Sequence, residues 1–317
     1  NAYSFILLKY YLILKMSIEV TKIQGLDNII NHKKRPVPKS THPNFPVNLF
    51  FTYCSFGMKN SGKSYSICKL LSLFDKYPVK DADGEMMINR VIWMSPTANF
   101  SSNSIIHTIK SLDIENDIYE NVDEEVLEDV FNEIVAEKET LKKKGAYIKA
   151  YKRFLKIKDV NRLKIEEILL LSDFNYEPPS VVFSNIKNYC YFLILDDLIG
   201  QSNSVFGMRK NNLLSNIVIK HRHYGINLIF TAQQQKYIPP IIRSNLDIIQ
   251  IFKTASSKVL ENMYEEISNL LTFEEFEQLF KYCIDQPYGS LIINNHQDAI
   301  YRFWLNWEKV LSINGKR

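Results

Sequence analysis

The chain has 317 residues, of which 46% are hydrophobic and 23% are charged, and its formal net charge is +4. These values are typical of a globular protein with a sizeable core, enough for one large α/β domain or two small ones. The charge allows a polyanionic partner but excludes a strongly basic tail. The four cysteines are widely spaced without a C-x-x-C pair, which excludes a disulfide framework and indicates a reducing compartment. The histidines lack zinc spacing, so we predict no structural metal ion.

The amino-terminal segment divides into two parts at Met16. Residues 1–15 form an apolar run interrupted by Lys9, too short to span a bilayer and without the basic region and cleavage site of a secretory signal. We interpret them as a translated stretch upstream of a true start at Met16; the alternative is an amphipathic membrane anchor. Residues 16–46 include a stretch rich in proline and basic residues and are predicted to be an extended lead-in.

Two buried strands are predicted in the first third of the chain. Residues 47–56, "VNLFFTYCSF", form an apolar run that leads directly into a turn with two glycines. The residues after Lys63, "SYSICKLLSLF", have apolar positions at helical spacing, which predicts a helix. A second apolar run, "RVIWMSPT" at 90–97, predicts the next strand.

Residues 104–175 are predicted to form a helical insertion. The composition changes here to long charged segments such as "DEEVLEDVFNEIVAEKETLKKK", with acidic residues early and lysines late, which suits the helix dipole. We expect the insertion to pack on the sheet. The alternative is a coiled-coil or subunit-contact arm.

Strands and helices alternate again after the insertion. The run "YCYFLILDD" at 189–197 is almost uninterruptedly apolar, which fits a parallel strand covered on both faces. The remaining predicted elements are a helix at 210–222, strands at 226–233 and 246–252, two amphipathic helices between 255 and 283, and strands in "GSLIINN" and "AIYRFWL". We therefore predict an α/β three-layer sandwich with a mainly parallel sheet, comprising residues 47–305, and a C-terminal tail at 306–317.

The turn after the first strand has the sequence G-x-x-x-x-G-K-S, from Gly57 to Ser64. Successive backbone N–H groups in such a turn bind anions, and the following helix adds its positive end. The strand, the turn and the helix occur in the order that this phosphate-binding motif requires. We therefore predict binding of ATP, with Lys63 reaching the β- and γ-phosphates and Ser64 coordinating Mg²⁺. The predicted nucleotide-binding residues are Gly57, Met58, Lys59, Asn60, Ser61, Gly62, Lys63, Ser64 and Tyr65.

Two aspartates follow the apolar run near residue 195. Because magnesium in this type of site needs a carboxylate at the end of a neighbouring strand, we predict that Asp196 holds the ion, directly or through water. Asp197 is then placed to polarise the attacking water. A third apolar strand ends in Thr231, Ala232 and Gln233, where ligands bind in open parallel sheets. Gln233 can donate to the γ-phosphate and accept from water; the alternative is a loop glutamine without a role.

Together these segments resemble the FtsK/HerA superfamily of ring-forming DNA-pumping ATPases, and within it the poxvirus-type genome-packaging ATPases of large DNA viruses and virophages. The matching stretches are "GMKNSGKS", "VIWMSPT", "FLILDD", "KHRHYGINLIFTAQQ" and "IPPIIRSNLD", within residues 47–305. The resemblance implies a P-loop NTPase sheet of the additional-strand type, with the glutamine-ended strand between the other two. The chain departs from the pattern at Asp197, where many relatives have a glutamate.

The resemblance also implies an arginine supplied by a neighbouring subunit, which neutralises charge on the transferring phosphoryl group. Arg222 and Arg243 match arginine-bearing positions of the pattern, and Arg209 is a weaker candidate. The alternative for each is a surface contact or a contact with the DNA backbone. Arg209, Lys210 and the basic segment 33–39 are candidate DNA contacts.

The implied activity is ATP hydrolysis coupled to the packaging of double-stranded DNA into a capsid. The expected partners are DNA of any sequence, capsid or portal-like vertex proteins and further copies of this chain in a ring, with no membrane. The expected location is the host-cell cytoplasm at the site of virus assembly, and the virion. The alternatives are a conjugation or plasmid-transfer pump, a helicase of the same superfamily, and a capsid scaffold that binds nucleotide without hydrolysis.

Overall fold

The computed structural model describes residues 38–42, 45, 47–81, 83–96, 104–120, 123–197, 213–233, 235, 238–254, 257–265, 271–295, 297 and 301–312. The predictions for residues 1–15, for most of 16–46, and for Arg209 and Lys210 lie outside this part of the chain.

The described strands form two sheets. Their bounds are β1 (Lys39–Ser40), β2 (Thr52–Phe56), β3 (Val79–Lys80), β4 (Ile88–Met94), β5 (Glu115–Tyr119), β6 (Tyr189–Leu195), β7 (Ile226–Ala232), β8 (Ile248–Phe252), β9 (Ser290–Asn294), β10 (Phe303–Leu305) and β11 (Lys309–Leu311). β1 and β3 pair with each other, and the other nine strands form the main sheet in the order β11-β10-β9-β8-β2-β7-β6-β4-β5.

The described helices are α1 (Lys63–Lys76), α2 (Ser104–Ser111), α3 (Glu124–Ile157), α4 (Ile165–Ser172), α5 (Pro179–Val182), α6 (Leu213–Tyr224), α7 (Pro240–Arg243), α8 (Ser257–Glu265) and α9 (Phe273–Ile284). None of them combines the length and the apolar composition needed to cross a lipid bilayer.

The main sheet is parallel from β8 to β5 and antiparallel from β8 to β11. β7 lies between β2 and β6, which is the order that the sequence resemblance implies. Because β2, β7 and β6 are parallel neighbours, their carboxyl ends meet at one edge of the sheet. The predicted α/β fold with a mainly parallel sheet of this type is confirmed.

Hydrophobic cores cover both faces of the sheet. Successive side chains of a strand point to opposite faces, so Tyr53 joins one core and Cys54 the other. One core contains residues of α1 and α2, and the other contains residues of α3, α6, α8 and α9. The sheet with helices on both faces gives the predicted three layers.

Two boundaries predicted from the sequence are wrong. The region assigned to a helical insertion contains β5, which pairs in parallel with β4 at the edge of the main sheet. The segment assigned to a C-terminal tail contains β11, which pairs with β10, and Trp307, which is buried. Short edge strands have polar residues on their open side, so their periodicity resembles that of a charged helix or a tail.

The rest of the insertion is helical. The amino-terminal half of α3 packs on the sheet through Leu127, Val130 and Ile134. Its carboxyl-terminal half joins a separate aromatic cluster with α4 and α5, centred on Tyr147 and Phe183.

Candidate functional site

The turn between β2 and α1 is closed and tightly packed. Its first residue, Gly57, donates its N–H to the carbonyl of Ala232 on β7 at 3.2 Å. A Cβ atom on Gly57 would lie only 2.6 Å from Ser61 Oγ, and Gly62 has a φ of +103°. Both positions therefore need glycine, the first for space and the second for its backbone conformation.

Lys63, the first residue of α1, is buried although it is charged. Its Nζ donates to two carbonyls of the turn, those of Gly57 at 3.0 Å and Met58 at 2.9 Å. Burial lowers the pKa of Lys63, while the charges of Asp197 and Asp196 raise it. The ammonium group is thus held by the carbonyls of the turn and lies within electrostatic reach of both aspartates.

Asp196 connects the two other strand ends to the turn. Its backbone N–H donates to the carbonyl of Met94 at 2.9 Å, which continues β6 along β4. Its carboxylate accepts from the Thr231 hydroxyl at 2.8 Å and from the Ser64 hydroxyl at 3.2 Å. Burial raises the pKa of Asp196 to about 6, opposed by the Thr231 and Ser64 hydrogen bonds and the charge of Lys63.

Asp197 has an unusual backbone conformation for a residue with a side chain. Its φ is +53°, in the left-handed region that aspartate enters more readily than most residues. Its N–H donates to Thr231 Oγ1 at 2.8 Å. A single threonine therefore positions both aspartates, by donating to the carboxylate of one and accepting from the backbone of the other.

Gln233 lies directly after β7, beside the turn. The preceding residue, Ala232, accepts the hydrogen bond from Gly57, so the backbone at Gln233 adjoins the start of the turn. Its side chain is exposed, and Gln233 is not among the residues that line the cleft over the turn. The structure thus brings Lys63, Ser64, Asp196 and Asp197 together and leaves Gln233 at the margin.

A cleft of about 760 Å³ opens over the turn. This volume lies within the range of sites for small molecules and cofactors. One wall carries the predicted site residues and the other comes from the carboxyl-terminal part of the sheet. The lining residues are Lys59, Asn60, Ser61, Gly62, Lys63, Ser64, Tyr65, Ser66, Lys69, Asp196, Asp197, Phe252, Pro287, Tyr288, Asn306 and Glu308.

The two candidate arginines in the described part of the chain lie away from this cleft. Arg222, on α6, donates through Nη2 to Asp247 Oδ1 at 2.7 Å. Asp247 accepts from the backbone N–H of Thr52, the first residue of β2, so this pair lies at the opposite end of the strand from the turn. Arg243, the last residue of α7, lies near Phe56 and Gln235 on another side of the sheet.

Three residues of the site were missed by sequence reasoning. Thr231 was recognised only as part of a strand end, although counting the register would place it opposite Asp196. Tyr288 and Asn306 belong to the far wall of the cleft. They are far from the motifs in the sequence, and no spacing rule connects them to the turn.

The residues at the turn fit a magnesium ion and a phosphate chain. A hydroxyl and a carboxylate, from Ser64 and Asp196, are the oxygen ligands that Mg²⁺ uses together with substrate phosphates. Within the described ranges, the buried Ser61 Oγ has no hydrogen-bond partner. Such a buried hydroxyl is expected where a ligand supplies the missing partner.

Comparison with models of protein families found no match, and comparison with curated protein sequences found none either. Among solved structures, this chain is similar to the genome packaging NTPase B204 from Sulfolobus turreted icosahedral virus 2 in complex with ATP-gammaS. The similarity covers 81% of this chain and 96% of that one, with 16% identity and a TM-score of 0.42. EssC (ATPases 2 and 3) from Geobacillus thermodenitrificans is similar over 81% of this chain and 39% of that one, with 17% identity and a TM-score of 0.44.

The pCW3 conjugation coupling protein TcpA is similar over 88% of this chain and 68% of that one, with 12% identity and a TM-score of 0.36. The first of these three structures belongs to the class of protein that the sequence motifs resemble.

Proposed function

We propose that the chain is an ATPase of the FtsK/HerA type whose turnover moves double-stranded DNA into a viral capsid. The observation that supports ATP hydrolysis best is the convergence of three strand ends on Asp196, which is hydrogen-bonded to Ser64 from the turn and to Thr231 from β7. Lys63 lies within electrostatic reach of the same carboxylates. A site made only to bind phosphate has no need of the second aspartate.

The turn holds the phosphates of ATP through its backbone N–H groups and the amino end of α1. Lys63 exchanges its contacts with the carbonyls of Gly57 and Met58 for contacts with the phosphates, which offer it a full negative charge. Ser64 and Asp196 would hold Mg²⁺, and the bound ion would supply positive charge to offset the negative charge of the phosphate oxygens.

Asp197 orients the attacking water and accepts its proton. The hydrogen bond from its backbone N–H to Thr231 fixes the position from which the carboxylate acts. Gln233 reports the presence of the γ-phosphate to the rest of the chain, because a ligand in the turn changes the environment of the adjoining end of β7. Its exposed position leaves it free to respond.

The sequence resemblance is the basis for proposing that the protein moves DNA, forms a ring and binds a capsid partner. A packaging motor holds the phosphates of DNA rather than base edges, so its DNA affinity depends on salt and not on sequence. The protein acts in the host-cell cytoplasm where virus particles assemble, and on the capsid.

The rate of ATP hydrolysis by the assembled full chain, with and without duplex DNA, tests the proposal. We expect magnesium-dependent hydrolysis that duplex DNA of any sequence accelerates, and a rate that gains nothing from DNA would contradict the motor. Blunt duplex must be moved without unwinding, because strand separation would indicate a helicase instead. Asp197→Asn should bind ATP but not hydrolyse it. Unchanged function in this variant would indicate a scaffold.

Mixing two inactive variants tests the arginines. Lys63→Ala lacks a working nucleotide site but retains its arginines, whereas Arg243→Ala or Arg222→Ala retains the site. If one of these arginines acts on the neighbouring subunit, the matching mixture regains activity that neither variant has alone. If an arginine variant is active by itself, that arginine is not the one required.

A further inference from the structure

The wall of the cleft that faces α1 is built from the carboxyl-terminal part of the sheet. Tyr288 precedes β9, and Asn306 and Glu308 lie in the turn between β10 and β11. An ion pair between Lys69 of α1 and Glu308 joins this wall to the helix that starts at the phosphate-binding turn. The cleft therefore continues past the phosphate site into a space bounded by both parts of the fold.

Tyr288 is held at the surface of this wall. It is 72% exposed, and its φ is +53°, a costly backbone conformation for an aromatic residue. The next position has no room for a side chain, because a Cβ on Gly289 would lie 1.8 Å from the carbonyl oxygen of Cys283. The tyrosine ring lies beside Gly62 of the turn, since a Cβ on Gly62 would be 3.5 Å from Tyr288 Cδ1.

Asn306 lines the same cleft as Tyr288 and is fixed by a hydrogen-bond network. Its Oδ1 accepts from the backbone N–H of Ser290 at 3.1 Å and from the Ser290 hydroxyl at 2.9 Å. Gln250 donates to the Ser290 hydroxyl at 2.6 Å and to the Ser66 hydroxyl at 2.8 Å. Trp307 donates to the Ser66 hydroxyl at 2.9 Å. The network ties the far wall to the first turns of α1.

The two polar atoms of the Asn306 carboxamide differ in their hydrogen bonding. Oδ1 is used by Ser290, whereas Nδ2 has no hydrogen-bond partner within the described part of the chain. An exposed aromatic ring and a fixed hydrogen-bond donor that line one cleft are the combination that proteins use to stack a base and contact its edge.

Building on the proposed ATPase function, we propose that Tyr288 and Asn306 bind the nucleoside base of ATP. The ring of Tyr288 stacks on the base, and Nδ2 of Asn306 donates to an acceptor on its edge. The ion pair of Lys69 with Glu308 closes the cleft beside them. The turn at Gly57–Ser64 then holds the phosphates, and the far wall selects a nucleotide over a bare phosphate chain.

Binding of two probes, measured by calorimetry in magnesium, tests this assignment: ATPγS, which has a base, and inorganic tripolyphosphate, which has none. Loss of a base–aromatic stack weakens nucleotide binding by about 5- to 150-fold. We expect Tyr288→Ala to weaken ATPγS binding within this range and to leave tripolyphosphate binding unchanged. Tyr288→Phe retains the ring and should bind ATPγS as the wild type does.

Two further variants complete the experiment. Asn306→Asp retains the acceptor for Ser290 and removes the donor, so it should weaken binding of ATPγS by about tenfold, within the usual value of a lost hydrogen bond. Tyr282→Ala removes a tyrosine that is 54% exposed on α9, outside the cleft, and should bind both probes normally.

The outcomes separate this inference from the proposed function. If Lys63→Ala loses both probes while Tyr288→Ala binds ATPγS like the wild type, the nucleotide site stands and the base assignment is wrong. If Tyr288→Ala weakens both probes equally, the ring supports the phosphate turn and the assignment is also wrong. If Lys63→Ala binds both probes normally, the proposed nucleotide site itself is wrong.

Discussion

The two ends of β2 carry similar groups that do different work. At its amino end, the buried Asp247 accepts from Arg222 Nη2 at 2.7 Å and from the Thr52 N–H at 2.8 Å. Each carboxylate oxygen therefore has a donor from within the chain. A carboxylate satisfied in this way joins β2, α6 and the start of β8, which is a structural role.

At the carboxyl end, about 15 Å away at the rise of a strand, Asp196 lies among the residues of the candidate site. Its donors in the described part of the chain are two hydroxyls, those of Thr231 and Ser64, and the nearby cation, Lys63, donates to carbonyl oxygens of the turn. Burial raises its pKa to about 6, so the charged form is disfavoured. Asp247 thus has a direct ion pair with an arginine, whereas Asp196 is held by two hydroxyls with Lys63 as a nearby charge.

The largest expected effect is the loss of ATP turnover in Lys63→Ala. Lys63→Ala should lower the turnover number for ATP by about 10²–10³-fold, because it removes a preorganised positive charge from the transferring phosphoryl group. Lys76→Ala, at the exposed end of the same helix, is the matched control and should retain wild-type turnover. Steady-state kinetics on folded samples of both variants would make this comparison, and equal rates would contradict the proposed role.

The second prediction is that removing the charge of Asp196 stabilises the protein. In EDTA at pH 8, Asp196→Asn should raise the free energy of unfolding by about 3 kcal/mol at most. This limit follows because each unit by which the pKa of Asp196 exceeds its ordinary value corresponds to about 1.36 kcal/mol. The folded-state pKa of about 6 lies above the unfolded value of 3.8, so the wild type binds more protons when folded.

The wild type therefore gains stability as the pH falls from about 6 towards 4, and the advantage of the asparagine fades over the same window. Urea denaturation at several pH values would measure both curves. A variant that is less stable than the wild type at pH 8 would show that the carboxylate is satisfied internally, as at the other end of the strand.

The sequence predicted the residues at the carboxyl end of β2 but not the ion pair at its amino end, and the reasons for the gaps are physical. The turn and the acidic pair were found because phosphate and magnesium restrict residue types at fixed spacing. Thr231 was missed because its role depends on the register between β6 and β7. Tyr288 reaches the cleft through a fold of antiparallel strands that no motif marks. The edge strand β5 was missed because a short, charged strand lacks a clear period.

The third prediction concerns the amino end of β2. Asp247→Ala should lower the free energy of unfolding by about 1–3 kcal/mol, since it leaves the buried N–H of Thr52 without its acceptor. The exposed Arg222 adds little to this value. Chemical denaturation measures the loss, and the remaining folded protein should have a normal Michaelis constant for ATP. A changed Michaelis constant would mean that the two ends of β2 are coupled.

The smallest expected effect is that of Thr231→Val, which removes the hydroxyl shared by the two aspartates. We expect about tenfold weaker activation by magnesium, since groups that orient a metal ligand typically contribute 10- to 100-fold to affinity. Thr231→Ser keeps the hydroxyl and should restore most of it. Titration of ATPase activity with Mg²⁺ compares the three proteins, and identical curves would remove Thr231 from the site.

The structure of the full chain bound to Mg²⁺ and ATPγS tests the central claim most directly. The claim predicts that the phosphates lie in the turn between Gly57 and Ser64, with the ion held at Ser64 on the side of Asp196. A nucleotide bound elsewhere would contradict it. So would a turn that stays closed because Lys63 still donates to the carbonyls of Gly57 and Met58.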